Sequence, residues 1–125
     1  MKTMPMETAE ELRWVMDYML LPVLLDVMER DIQTMNGTQL KMSGVYIQLL
    51  KQAQDSVSSD MAVLRNKLKS RGIRIYDQRR TKEQLEADFL CRGYHRKCSM
   101  LWGLVKSEVE QRLLSYLSSN SADKN

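Results

Sequence analysis

The chain has 125 residues, of which 43% are hydrophobic and 28% charged, and this is the composition of one globular domain. A chain of this length can bury a core without disulfides or metal, but it is too short for a multidomain enzyme or a large cofactor-binding fold. The formal net charge of +3 is too small by itself to imply a polyanionic partner.

Three features predict a cytoplasmic protein that does not engage a membrane. Two cysteines do not make a disulfide scaffold. The first twelve residues carry acids where a secretory signal would be apolar. The longest apolar stretch, residues 19–25, contains a proline and is far shorter than the roughly 20 residues that span a bilayer.

The first predicted element is an amphipathic helix that begins after Thr8. Glu11 follows Thr8 at the spacing of a capping box, and apolar residues then recur at spacings of three and four. Pro22 removes one backbone hydrogen bond, so we expect either a kink or two helices that meet there. Asn36-Gly37 predicts the end of the helix, with a left-handed cap.

A second periodic segment predicts one helix of about 30 residues, packed antiparallel against the first. It ends at a Gly72 cap. The alternative is a break near Ser58, because residues 55–60 are rich in capping residues. The apolar face of this segment consists of Leu40, Val45, Leu49, Ala53, Val57, Met61, Leu64 and Leu68.

After Gly72 the apolar residues alternate with polar ones over residues 73–76 and 85–91, and this predicts a β-hairpin. Its connection, residues 77–84, is longer than a tight turn. The alternative is a short helix that starts at Thr81 with Gln84 as its capping partner. In the second strand, Leu85, Ala87, Phe89 and Cys91 share one face, and Glu86 and Asp88 share the other.

A last helix is predicted from Met100 to Leu117, and residues 118–125 are expected to be a disordered tail. Residues 1–117 would then form a single domain. Its fold class is α+β and mainly helical: an antiparallel helical pair with the first helix kinked at Pro22, then a β-hairpin, then a C-terminal helix.

The charge is unevenly distributed along the chain. Residues 1–64, 65–106 and 107–125 carry net charges of −4, +8 and −1. The basic segment could form a surface that displaces counterions from phosphates, unless its bases pair with the acids of the first helix. The candidate nucleic-acid-binding residues are Arg65, Lys67, Lys69, Arg71, Arg74, Arg79, Arg80, Lys82, Arg92, Arg96 and Lys97.

Residues 64–72 form a basic helix end, followed by a hairpin whose tip carries Arg79, Arg80 and Lys82. Within residues 56–94 this arrangement resembles the recognition helix and wing of a winged-helix domain, which would bind DNA. A continuous second helix would remove the helix-turn-helix. The feature that decides for nucleic-acid binding is whether Arg71, Arg74, Arg79, Arg80 and Lys82 share one exposed face.

Cys91, His95 and Cys98 are the only concentration of soft metal ligands in the sequence. They could supply three ligands to zinc, which would need a fourth. The alternative, which we favour, is two small core residues and an exposed or capping histidine. Because Glu86 and Asp88 are predicted to face solvent and no nucleophile is paired with an oriented base, we expect no metal, no cofactor, no catalytic residue and no enzyme activity.

Leu20, Leu21, Leu24 and Leu25 cover most of a helical turn around Pro22, and this predicts a partner helix from a second copy of the chain. The leading hypothesis is therefore a small non-enzymatic cytosolic regulatory or accessory protein. It would bind nucleic acid through residues 65–106 as a homodimer. The alternative is a helical protein–protein interaction adaptor that binds no nucleic acid.

Overall fold

The computed structural model describes residues 6–122, with side chains for residues 6–119. The element order is α1 (Ala9–Asn36), α2 (Ser43–Ser70), β1 (Ile73–Arg80), β2 (Gln84–Cys91), β3 (Tyr94–Leu101) and α3 (Trp102–Ala122). The three strands form one antiparallel sheet in the order β1-β2-β3. The predicted α+β class, mainly helical, is confirmed.

Helix α1 begins as its sequence predicts. The Thr8 side chain accepts a hydrogen bond from the Glu11 N–H at 3.1 Å, and the Glu11 carboxylate accepts one from the Thr8 N–H at 3.0 Å. The helix continues through Pro22, so the alternative of two helices meeting there is wrong, and a kink stays a prediction. The left-handed cap is also wrong: Gly37 has φ −95°, and its N–H closes a tighter last turn on the Thr34 carbonyl.

Helix α2 is continuous through its serines, so the break predicted as an alternative near Ser58 is wrong. The helix-turn-helix of a winged-helix domain is therefore absent. The side chain of Gln54 contacts Glu29 at 3.1 Å, whereas Arg65, later in α2, contacts Tyr18, earlier in α1, at 3.3 Å. The two helices are thus antiparallel, as predicted.

The predicted apolar face of α2 is buried only in its later part. Ala53, Val57 and Leu68 are buried, whereas Leu40, Val45 and Leu49 are exposed. Leu40 precedes the helix. Val45 and Leu49 do not face α1, because residues four apart differ by about 40° in direction around the helix. Over a long series at this spacing the side chains therefore rotate away from the contact face.

The turn between β1 and β2 is shorter than the predicted connection, because β1 continues to Arg80 and only residues 81–83 join the strands. The Thr81 hydroxyl accepts a hydrogen bond from the Gln84 N–H at 3.1 Å. This capping pair closes a turn and starts no helix, so that alternative is wrong. The predicted faces of β2 are confirmed: Leu85, Ala87, Phe89 and Cys91 are buried, and Glu86 and Asp88 are not.

Strand β3 was not predicted. A two-residue turn, Arg92-Gly93, joins it to β2, and both residues have positive φ, 49° and 91°, as a type I′ hairpin turn requires. Met100 and Leu101 end this strand, so the prediction that Met100 begins the last helix is wrong. The strand cannot be recognised in the sequence because Arg96 lies on its inner face and Leu101 on its outer face. Both interrupt the alternation of apolar and polar residues that marks a strand.

The inner face of the sheet, α2 and α3 all pack around α1, which is why α1 is apolar on several sides. Leu20, Leu21 and Leu24 are buried within one copy, and Leu25 is half-buried. These leucines therefore do not require a second copy of the chain, and their pattern no longer supports a homodimer.

Helix α3 is tied to the turn at its start and to the helical pair along its length. The Trp102 indole N–H donates to the Thr81 carbonyl at 2.7 Å, Arg112 pairs with Asp17, and the Tyr116 hydroxyl donates to Asp60 at 2.6 Å. The helix extends to Ala122, past the predicted boundary at residue 117, and residues 123–125 of the predicted tail lie outside the described residues. None of the helices between residues 6 and 122 is both long enough and apolar enough to cross a membrane.

Candidate nucleic-acid interface

The predicted basic surface divides into two groups of side chains. Six cations have no ion pair with any residue of the described part of the chain: Arg65, Lys67, Lys69, Arg74, Lys82 and Lys97. Five are ion-paired: Arg71 and Arg92 with Glu11, Arg79 with Asp77, Glu86 and Asp88, Arg80 with Asp26, and Arg96 with Glu7.

Glu11 contacts three parts of the fold: Thr8 at the start of α1, Arg71 at the end of α2 and Arg92 in the β2–β3 turn. It is only 2% exposed, and its carboxylate accepts from Arg92 at 3.0 Å and from Arg71 at 3.1 Å. The hydrogen bond from Arg92, with those from Thr8 and Arg71, outweighs the effect of burial and lowers the pKa of Glu11 to about 2. Arg71 also lies over the Trp14 ring, 5.0 Å from its centre. Both arginines are thus used to hold the protein together.

Arg79 is surrounded by carboxylates on the outer face of the sheet. It bonds Asp88 at 2.8 Å and Glu86 at 3.1 Å, and it also bonds Asp77. The hydrogen bond from Arg79 lowers the pKa of Asp88 below its ordinary value, and these bonds, that to Asp88 first, raise the pKa of Arg79. By the strand register the outer face carries equal numbers of bases and acids: Arg74, Arg79 and Lys97 against Asp77, Glu86 and Asp88.

The cations at the hairpin tip do not share a face. The strand register pairs Arg79 with Glu86 and Arg80 with the buried Leu85, so the two arginines point to opposite faces. Arg80 reaches Asp26 of α1 at 2.6 Å. The five residues whose shared exposed face was the criterion for nucleic-acid binding are therefore dispersed, and that criterion is not met: Arg71, Arg74, Arg79, Arg80 and Lys82.

Three cations without an ion pair do converge. Arg65 and Lys69 from the end of α2 and Arg74 from the start of β1 line a cleft of about 350 Å³, which we call the β1-edge cleft. The Arg65 guanidinium donates to the Tyr18 hydroxyl at 3.3 Å. The other side chains that line the cleft are Tyr18, Leu68, Ile73 and Ile75.

The three cations of the β1-edge cleft are among the residues that the sequence predicts to bind nucleic acid, but Tyr18 is not. This residue lies on α1 and reaches the cleft only because α1 packs antiparallel against α2. The sequence carries no local signal for that placement. Leu68 and Ile73 were expected to be core residues and are buried, but each also borders the cleft.

The candidate zinc ligands do not converge. Cys91 and Cys98 lie on the inner face of the sheet, whereas His95 is exposed on the outer face, with its Nδ1 3.0 Å from the Tyr76 hydroxyl. Burial raises the pKa of both thiols, so the thiolate form that binds metal is disfavoured. Within residues 6–119, no group of three or more His, Cys, Asp or Glu side chains is placed to hold a metal ion.

Comparison with known proteins gives one match. No curated protein and no solved structure matches the chain. A protein-family model described as YhjD protein matches residues 6–121, which is almost all of the described chain. The chain therefore belongs to the YhjD protein family.

Proposed function

We propose that this protein is a small non-enzymatic cytosolic regulatory or accessory protein that binds nucleic acid through Arg65, Lys69 and Arg74. The observation that carries the proposal is the convergence of these cations, from two elements, around one cleft with no ion-paired acid among the described residues. A cation that meets a phosphate there releases a counterion, which is the main source of affinity in such complexes.

The place of the cleft in the fold explains why several cations are needed. The end of α2 is the negative end of a helix dipole and by itself repels an anion. Lys67 and Lys69 in the last turn offset that partial charge. Arg65 and Arg74 add two further positive charges that are not needed to offset the helix dipole, so the cleft as a whole attracts phosphate.

The test is fluorescence anisotropy with a labelled oligonucleotide between about 50 and 200 mM salt. We expect the affinity to fall steeply with salt. The triple variant Arg65→Gln, Lys69→Gln, Arg74→Gln should weaken binding and reduce the logarithmic salt slope by about 2.

The matched control is Lys82→Gln, Lys97→Gln, Lys106→Gln, which removes the same charge from side chains that do not line the cleft. It should leave most of the affinity. Absence of binding at low salt, or equal losses in the two triple variants, would contradict the proposal.

A second surface favours self-association. Leu40, Met42, Val45, Tyr46 and Leu49 are between 38 and 56% exposed, and together they form what we call the α2-start surface. We propose a second copy of the chain as its occupant. In a twofold dimer the surface would face itself. Its helical part, residues 43–50, carries no charge, and the exposed Lys41 lies between Leu40 and Met42 before the helix begins.

Light scattering tests this homodimer. The wild type should show twice the 14.6 kDa of one chain, and Val45→Lys with Leu49→Lys should give a monomer. Val63→Lys, at an equally exposed position further along α2, should leave the dimer intact. A monomeric wild type would contradict the homodimer. A dimer that binds no oligonucleotide would favour the adaptor function over nucleic-acid binding.

A further inference from the structure

The β1-edge cleft opens at the free edge of the sheet. Three consecutive residues of β1, Ile73, Arg74 and Ile75, line it, although alternate residues of a strand point to opposite faces. One cleft can meet both faces of a strand only at an unpaired edge. β1 has β2 on one side and no strand of the described chain on the other. This edge of β1 carries N–H and C=O groups that no strand of the described chain pairs.

The wall and the rim of the cleft differ in chemistry. Leu68 and Ile73 are almost fully buried and lie behind the wall, whereas the half-buried Ile75 and the Tyr18 ring give it an accessible apolar surface. The cations line its sides, and the cleft volume of about 350 Å³ lies at the lower end of the range of small-molecule sites. The matching ligand has a flat apolar face, a hydrogen-bonding edge and a nearby negative charge. A nucleobase next to a phosphate has all three.

The form of nucleic acid follows from this shape. In a duplex the bases are stacked and paired, so only phosphates would reach the rim and the apolar wall would stay uncovered. A single strand can turn a base out of its stack and place it against aromatic and apolar side chains.

Building on the proposed function, we infer that the β1-edge cleft holds one unpaired base of single-stranded nucleic acid. Tyr18 and Ile75 contact the base, and Arg65, Lys69 and Arg74 contact the flanking phosphates. The protein therefore prefers single strands to duplexes.

The experiment compares a labelled oligothymidylate with a duplex of the same length, and it uses thymidine monophosphate as a competitor. We expect the single strand to bind at least about tenfold more tightly than the duplex, since one stacked base contributes enough free energy for that ratio. The monophosphate should compete only weakly, because it offers the rim a single phosphate.

Tyr18→Leu removes the ring and keeps most of the apolar volume. It should remove most of the single-strand preference while the salt slope stays unchanged. The matched control Tyr94→Leu alters an exposed tyrosine at the β2–β3 turn and should have no effect. Circular dichroism and the midpoint of thermal unfolding report whether each variant folds.

A measurement on the wild type covers the case in which Tyr18→Leu does not fold. Photocrosslinking with a bromouracil-substituted strand should label the peptide with Tyr18 or the peptide with residues 73–75, as read by mass spectrometry. A crosslink confined to other segments would overturn the inference.

The remaining outcomes separate the two proposals. Equal affinity for single strand and duplex, both weakened by the triple cation variant, would overturn the base-binding inference and leave nucleic-acid binding intact. Binding to neither at low salt would overturn the proposed function itself. Displacement of the strand by thymidine monophosphate at a similar concentration would overturn strand recognition in favour of a free nucleotide.

Discussion

Arg79 and Arg80 are adjacent in the chain and act on opposite faces of the sheet, Arg79 among Asp77, Glu86 and Asp88 and Arg80 on Asp26 of α1. Replacing each therefore has a different consequence. Arg79→Gln leaves three carboxylates without their ion-paired cation, and Lys97, opposite Asp88 on the same face, remains as a neighbouring charge. Arg80→Gln removes one exposed ion pair, a type that contributes little.

We expect Arg79→Gln to lower the urea midpoint clearly more than Arg80→Gln does. Arg79→Lys should fall between the wild type and Arg79→Gln, because it keeps the charge but not the several hydrogen bonds of the guanidinium. Chemical denaturation of the three variants at pH 7 checks the order. A larger effect of Arg80→Gln would contradict the assignment of the two faces.

The stability of the protein should depend on pH through Glu11. Its pKa is about 2 in the folded protein against an ordinary value of 4.5, so its stabilising contribution is complete above pH 4.5 and is lost as the pH falls toward 2. The size of this contribution is about 3 kcal/mol. Urea unfolding of the wild type and of Glu11→Gln should differ widely at pH 7 and converge near pH 2. A difference that is constant with pH would contradict the prediction.

Two glycines should respond to alanine with opposite signs. Gly93 has φ +91° in the β2–β3 turn, where a side chain is strained, so Gly93→Ala should cost about 1 to 2 kcal/mol. Gly103 lies in the first turn of α3 with open space around the position of a Cβ. Gly103→Ala should therefore stabilise by up to about 1 kcal/mol. Thermal unfolding measures both, and stabilisation by Gly93→Ala would refute the type I′ assignment.

The Tyr116 hydroxyl, which joins α3 to α2 through Asp60, should titrate late. Burial, followed by the hydrogen bond to Asp60, raises the pKa of Tyr116 above the ordinary value of 10.0. The stability that it contributes is complete below pH 10 and is lost as the pH rises further. Tyr116→Phe should cost about 1 kcal/mol at pH 7 and remove the last step of the tyrosine absorbance titration. An unchanged titration curve would count against the contact.

Local patterns predicted the elements whose signals lie within a few residues. Thr8 and Glu11 are three residues apart, and the apolar face of β2 repeats every second residue, so both could be read directly. β3 could not be predicted because Arg96 occupies an inward position, where it pairs with Glu7 at 3.0 Å. That contact spans 89 residues, and no local pattern encodes it.

The same limit applies to the candidate site. Arg65, Lys69 and Arg74 are indistinguishable in the sequence from arginines such as Arg71 and Arg92, which the fold uses for its own ion pairs. Half of the acids that separate the two groups, Glu7, Glu11 and Asp26, belong to α1 and the residues before it, and the other half to the sheet. Only tertiary packing decides which cations remain available to a partner.

The central position of α1 has a consequence for how the chain is made. This helix leaves the ribosome before the sheet and α3 that enclose it, and Glu11 meets Arg92 across 81 residues of sequence. Leu20, Leu21 and Leu24 therefore stay incompletely covered on the nascent chain until α3 has been synthesised. Folding is therefore expected to be late and cooperative, and a prematurely terminated product lacking β3 and α3 should aggregate or require a chaperone.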